Sequence, residues 1–238
     1  MGVKGLSKFV EKYAKTVFLD DFYEKTLIID THIYLYKFKY SKKNIVNCFK
    51  NQIAKFNKLS ITPIYVFDGV KPALKDAVIK KRKEKNSLYV SKEEIDELKD
   101  YFNKNDIKYI IGVSEGEKTC SSLNRHKDNV YAVLSNDYDC LAFNCKRLIV
   151  YKSGDYIMYE TDEIMKDLDI TIDNFIDLCI IAGTDYSEGI KGMGLVKAFK
   201  KLKKETDNDF HTMFQEIENY DEIKTIFKDF EKEKTMEI

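Results

Sequence analysis

The chain has no tryptophan, only two prolines and only ten glycines in 238 residues. So little glycine and proline excludes a collagen-like, linker-rich or low-complexity protein. The five cysteines, Cys48, Cys120, Cys140, Cys145 and Cys179, form no C-x-x-C pair and are odd in number. Their apolar or helical settings argue for reduced thiols rather than a disulfide framework. No apolar run reaches bilayer length and the amino terminus lacks a signal-peptide core, so a soluble intracellular protein without membrane contact is expected; its compartment is not determinable from sequence. Net charge is also missing, 40 basic residues balancing 40 acidic ones. That balance hides segregation. Residues 37–58, 71–92 and 191–204 carry excesses of +7, +6 and +6, which the rest of a neutral chain must offset with acid. What is present, 44% apolar and 13% aromatic residues, suffices for a sizeable core.

Short β-branched runs at Leu27–Ile29, Ile64–Phe67, Tyr109–Val113 and Tyr131–Leu134 alternate with helix-forming stretches. This predicts an α/β fold with a mostly parallel twisted sheet flanked by helices. Leu148–Tyr151 and Tyr156–Tyr159 read as a hairpin turning through residues 152–155. After Thr161 the pattern is helical, with helices expected over 172–180, 195–202, 210–217 and 222–230. The natural boundary falls near residue 160, giving an α/β core over 1–160 and a helical region over 161–238.

Three predicted strands end on acids: LIID at Asp30, IYVFD at Asp68, and YAVLS followed by Asp137 and Asp139. A fourth, YIIGV, leads into Glu115 and Glu117, and Asp185 follows the apolar stretch IDLCIIAG. Acids at the carboxyl ends of parallel strands should converge on a ligand crevice. Carboxylates so gathered raise one another's pKa unless a cation neutralises them, and hard oxygen ligands suit Mg2+ or Mn2+. Each acid alone has a plainer reading as a helix cap, and Ser114 with Glu117 matches a capping box. Their co-occurrence argues otherwise, because a cap needs one carboxylate.

In order, MGVKGLSKF, LIIDTHIYLY, IYVFDGVKPALK, SEGEKTCSSL, SNDYDCLAF and LCIIAGTDYSEGIKGMGLVKA resemble the blocks of flap endonucleases of the XPG-type structure-specific 5′ nuclease family, over roughly residues 1–204. The resemblance implies a PIN-like nuclease core with a short helical arch over about 70–106. A helix-two-turn-helix DNA-binding element is implied over about 172–204. By position, the metal-holding carboxylates fall on Asp30, Asp68, Glu115, Glu117, Asp137, Asp139 and Asp185, implying two Mg2+ (or Mn2+) and phosphodiester hydrolysis leaving a 5′ phosphate. Glu117 is expected between the two ions. Lys75 and Arg82 share one helix face and match the basic residues that reach the scissile phosphate. Tyr36 matches a base-stacking aromatic, with core packing as its plainer reading. Gly192 and Gly194, with Lys197 in the following basic helix, match the element that grips duplex backbone, often with a bound K+. Gly2 fits the amino-terminal segment near the junction. His32, His126 and His211 lack metal-ligand spacing to one another and read as structural or surface residues.

The chain departs from the family's larger members in two respects. Only 47 residues separate Asp68 from Glu115, so a compact arch is expected and strand threading is not implied. The terminal EKEKTMEI lacks the glutamine and paired aromatics of a sliding-clamp motif, so no clamp contact is expected. DNA with a duplex–single-strand junction is the implied partner, bound by a monomer. A 5′–3′ exonuclease, a PIN-type ribonuclease and a non-enzymatic junction-binding scaffold remain the alternatives.

Overall fold

A computed structural model describes residues 2–70, 74, 89–204, 212–230, 233 and 235–238. Seven strands form one sheet: β1 (Lys15–Val17), β2 (Thr26–Asp30), β3 (Thr62–Phe67), β4 (Tyr109–Ile111), β5 (Ala132–Leu134), β6 (Arg147–Lys152) and β7 (Asp155–Glu160). Their order is β1-β7-β6-β5-β2-β3-β4. The five strands β2 to β6 pair in parallel, while β7 and β1 add antiparallel strands at one edge. The β6–β7 hairpin turns on Ser153 and Gly154, both at positive φ, as a two-residue primed turn requires. Polar β1 was absent from the sequence expectation. The strand expected over 109–113 stops at Ile111.

The helices are α1 (Leu6–Phe9), α2 (Thr31–Tyr40), α3 (Ile45–Lys58), α4 (Lys92–Lys104), α5 (Gly116–His126), α6 (Asp139–Ala142), α7 (Thr161–Leu168), α8 (Ile172–Ala182), α9 (Leu195–Lys204) and α10 (Tyr220–Lys228). Alternate strand residues point to opposite faces, and both faces are covered. Leu27, Ile29, Tyr65, Phe67 and Leu134 pack with Phe49 and Phe56 of α3 and Phe102 of α4. On the other face Ile28, Ile64, Val66, Val133 and Leu148 join Leu123 of α5, Phe175 and Ile180 of α8 and Phe227 of α10. Residues from both sides of position 160 therefore share one core. The helix expected over 210–217 is, in its described part, a single 3-10 turn over Met213–Glu216. Lys75, Arg82, His211 and, apart from residue 74, the stretch 71–88 of the expected arch lie outside the described residues. No helix among the described residues is long and apolar enough to cross a membrane. The cysteines are free, and all but Cys48 are buried.

Candidate active site

Asp30 aligns with Val66 of β3, and Ile29 before it with Leu134 of β5. From β2 the chain first builds β3 and β4 on one side, then crosses to β5 on the other. The carboxyl ends of β2 and β5 thus form a switch point, where a doubly wound sheet opens its ligand crevice. Asp30 ends β2 at 2% exposure. Its Oδ1 accepts from the Ile33 amide at 3.5 Å, a weak cap of α2, while Oδ2 accepts from Ser135 Oγ at 3.0 Å. Burial, and then the charge of Asp68, push the Asp30 carboxyl up to about 7 against the help of Ser135, with Asp137 adding a smaller rise.

Asp68 follows β3 and is held by three elements. Its backbone N–H donates to His32 Nδ1 at 3.1 Å. Its Oδ1 accepts from the Gly116 N–H at 2.9 Å, at the amino end of α5 where helix amides favour anions. The neighbouring Gly69 amide donates to the Ser114 carbonyl at 2.6 Å. A side chain at Gly69 would collide with the Gly112 carbonyl, so the two loops need glycine to lie this close.

Glu115 is 2% exposed and accepts a hydrogen bond from the Tyr186 hydroxyl. Burial beside Glu115 pushes that hydroxyl up, so it remains a proton donor. The charges of Glu117 and Asp139 act on the same hydroxyl, and those of Asp30, Glu117 and Asp68 on the buried Cys120 thiol behind them. The capping box that would be the plainer reading of Ser114 and Glu117 does not form. Glu115 is the N-cap without a side-chain cap bond, Ser114 Oγ donates instead to Glu233 Oε1 at 3.1 Å, and the Gly116 amide serves Asp68.

Asp137, Asp139 and Asp185 gather around the amino terminus. The Asp139 amide donates to Asp137 Oδ1 at 2.9 Å, the Val3 amide to Asp139 Oδ1 at 2.7 Å and the Gly2 amide to Asp185 Oδ1 at 2.9 Å. Gly2 has φ 94°, and a Cβ there would overlap Asp139 Oδ1 while lying 3.0 Å from Asp137 Oδ1. A Cβ at Gly116 would similarly lie 2.9 Å from Asp68 Oδ1 and 3.4 Å from Asp30 Oδ1. Two glycine-lined cradles therefore face oxygen-only donor sets, which fit hard divalent cations. Among the described residues no three His, Cys, Asp or Glu side chains are gathered tightly enough to hold an ion as they stand. The chain supplies carboxylate pairs rather than a finished cage.

Tyr36 is 43% exposed on α2, outside the packed core. Gly192 has φ 80° and Gly194 has open space above it; both are exposed, and Lys197 Nζ donates to the Gly192 carbonyl at 3.1 Å. Lys200, Lys203 and Lys204 of α9 are also exposed, whereas Leu195 and Ala198 are buried. His32, two residues past Asp30, was expected to be structural or superficial; it accepts the Asp68 backbone amide, a partner 36 residues away that its spacing to other histidines does not reveal. Tyr186 adjoins Asp185, and Ser135 lies two residues before Asp137, so proximity to the acids was the available signal for both.

Residues 1–88 match the model of the XPG N-terminal domain and residues 106–185 that of the XPG I-region. The chain is 33% identical over 258 residues to flap endonuclease 1 of Methanococcus aeolicus, covering 90% of this chain and 78% of that protein. The solved structure of flap endonuclease-1 from Methanococcus jannaschii superposes with TM-score 0.74 at 26% identity, over 90% of this chain and 81% of that one. The catalytic core of Rad2, solved in complex with DNA substrate, shares the fold with TM-score 0.77 at 24% identity, over 95% and 84%. With its acids ranged along the switch point of the matching fold, the chain belongs to the XPG-type flap endonuclease family.

Proposed function

We propose that the chain is a divalent-metal-dependent, structure-specific 5′ nuclease that hydrolyses phosphodiesters in flap, nicked or branched DNA. The observation that carries this reading is the approach of Asp30, Asp68, Asp137, Asp139 and Asp185 to two glycine cradles at one end of the sheet. Asp30, Asp68 and Glu115 on one side, Asp137, Asp139 and Asp185 on the other and Glu117 between them would hold two Mg2+ or Mn2+ ions. When bound, such ions supply Lewis acidity toward a phosphodiester and lower the pKa of water.

The chain's own residues do the positioning. Amides of Gly116, Val3 and Gly2 fix one oxygen each on Asp68, Asp139 and Asp185. Ser135 and Tyr186 orient Asp30 and Glu115. Cations must also meet the DNA, because acids alone repel it. Lys75 and Arg82, assigned from sequence, would contact the scissile phosphate and stabilise charge developing there. Gly192, Gly194, Lys197 and the exposed lysines of α9 would follow duplex backbone, giving salt-sensitive binding independent of sequence. A K+ ion at that turn belongs to the same reading, as does stacking of a base on Tyr36 near the cut.

The test is a panel of labelled 5′ flap, nicked duplex, Holliday junction and single-stranded RNA incubated in Mg2+. Cleavage of a DNA junction leaving a 5′ phosphate is the expected result. Cleavage of RNA alone would turn the reading to a ribonuclease, and tight junction binding without cleavage to a scaffold.

A further inference from the structure

We propose that Glu233 is a positioning residue for this chemistry, a carboxylate near the C-terminus that locks the turn carrying Glu115 and Glu117. The inference rests on reading those two acids as part of a metal-holding set. Ser114 immediately precedes Glu115, and its Oγ donates to Glu233 Oε1 at 3.1 Å. Lys118 immediately follows Glu117, and its ammonium stands 3.7 Å from the same oxygen. One oxygen therefore ties both ends of the segment Ser114–Lys118. Glu233 is 3% exposed and the Lys118 side chain 11%, with the Phe230 ring 5.7 Å from the ammonium. A carboxylate this far from water persists there only with partners, and among the described residues Ser114 and Lys118, which flank the acids, serve as such.

The same segment supports Glu115 from a second direction. Phe227 of α10 packs edge-on against Tyr186 at 5.7 Å, and Tyr186 donates to Glu115. Phe227 also stacks at 4.7 Å on Phe143, the residue that ends the short helix begun by Asp139. α10 is itself pinned to α8, where buried Asp177 accepts from the Tyr220 hydroxyl and pairs with Lys224, each at 2.6 Å. The C-terminal segment thus touches the supports of the acids without supplying one of them.

Mn2+ binding to the DNA-free protein, measured by calorimetry, tests this alongside single-turnover cleavage and unfolding midpoints. Glu233→Ala is expected to weaken Mn2+ binding by roughly tenfold, as loss of a support behind a metal ligand does. Its KM for DNA should stay near wild type while cleavage at limiting Mn2+ slows. Glu233→Gln keeps the size and the acceptor oxygen for Ser114 and should fall between wild type and Ala. It decides the matter if the Ala variant does not fold. Wild-type Mn2+ affinity in the folded variants, with binding by the wild type intact, overturns this inference alone. Absence of Mn2+ binding by the wild type removes the metal-site reading and this inference with it.

Discussion

Gly116 opens α5 with its amide on Asp68 and no room for a side chain. An alanine Cβ would stand 2.9 Å from Asp68 Oδ1, whereas ordinary contact begins at 3.4 Å, so the carboxylate must retreat by about 0.5 Å. The obstructing atom is the end of a side chain, and the backbone at Gly116 is helical. The fold can therefore accept the change. Gly→Ala at a compatible backbone position gains roughly 0.4–1 kcal/mol through the unfolded state, offset here by crowding against Asp68. Unfolding free energy is expected within about 1 kcal/mol of wild type. Catalysis is less tolerant, since misplacing a reacting constellation by 1 Å can cost on the order of a hundredfold. Half that displacement predicts about a tenfold slower single-turnover cleavage of a 5′ flap at saturating Mg2+, or about 1.4 kcal/mol in the barrier. Urea unfolding run beside the cleavage assay separates the two effects. A variant that cleaves at the wild-type rate would refute the reasoning, as would a rate loss that merely tracks a large fall in stability.

Gly2→Ala meets both a positive φ and the Asp139 carboxylate. Cleavage should fall by about a hundredfold with little change in the unfolding midpoint, and a wild-type rate would show that the amino terminus does not seat among the acids. In metal-free protein the Asp30 carboxyl sits at about 7, above its ordinary 3.8, so the folded state binds the extra proton. Its contribution to stability is complete below about pH 4 and is lost as pH rises through 7. Denaturation in EDTA should therefore show wild type weakening between pH 5 and pH 8 more than Asp30→Asn does; parallel slopes would contradict the burial argument. Tyr36→Ala removes an exposed ring, so stability should move by less than about 0.5 kcal/mol. Flap binding should weaken by roughly 1–3 kcal/mol if the ring stacks on a base, and an unchanged Kd would return Tyr36 to a packing role.

The strands bearing Asp30 and Asp68 were legible because each couples an apolar run to a terminal acid, a pattern that burial on both sheet faces imposes. Gly69 lies where a Cβ would run into the Gly112 carbonyl, a use of glycine in keeping with how few the chain has. What escaped depended on distant partners. β1 is polar, three residues long and defined only by pairing with β7. The Ser114–Glu117 pattern suited a local cap, but Asp68 and Glu233 outcompeted it for the Gly116 amide and the Ser114 hydroxyl. His32 acquires its role from the Asp68 amide, which no spacing rule among histidines could reveal. Gly194, by contrast, has neither a positive φ nor a close neighbour. Its open face gives no intramolecular reason for glycine and is consistent with an approach from outside.

The measurement bearing most directly on the central claim is Mg2+-dependent cleavage of a labelled 5′ flap by wild type and by Asp137→Asn, which retains the size of the side chain and removes its charge. Cleavage by the wild type that is abolished by EDTA and lost in the variant, with DNA binding retained, is the predicted result. Equal cleavage by the two proteins, or wild-type cleavage that survives removal of divalent ions, would contradict it.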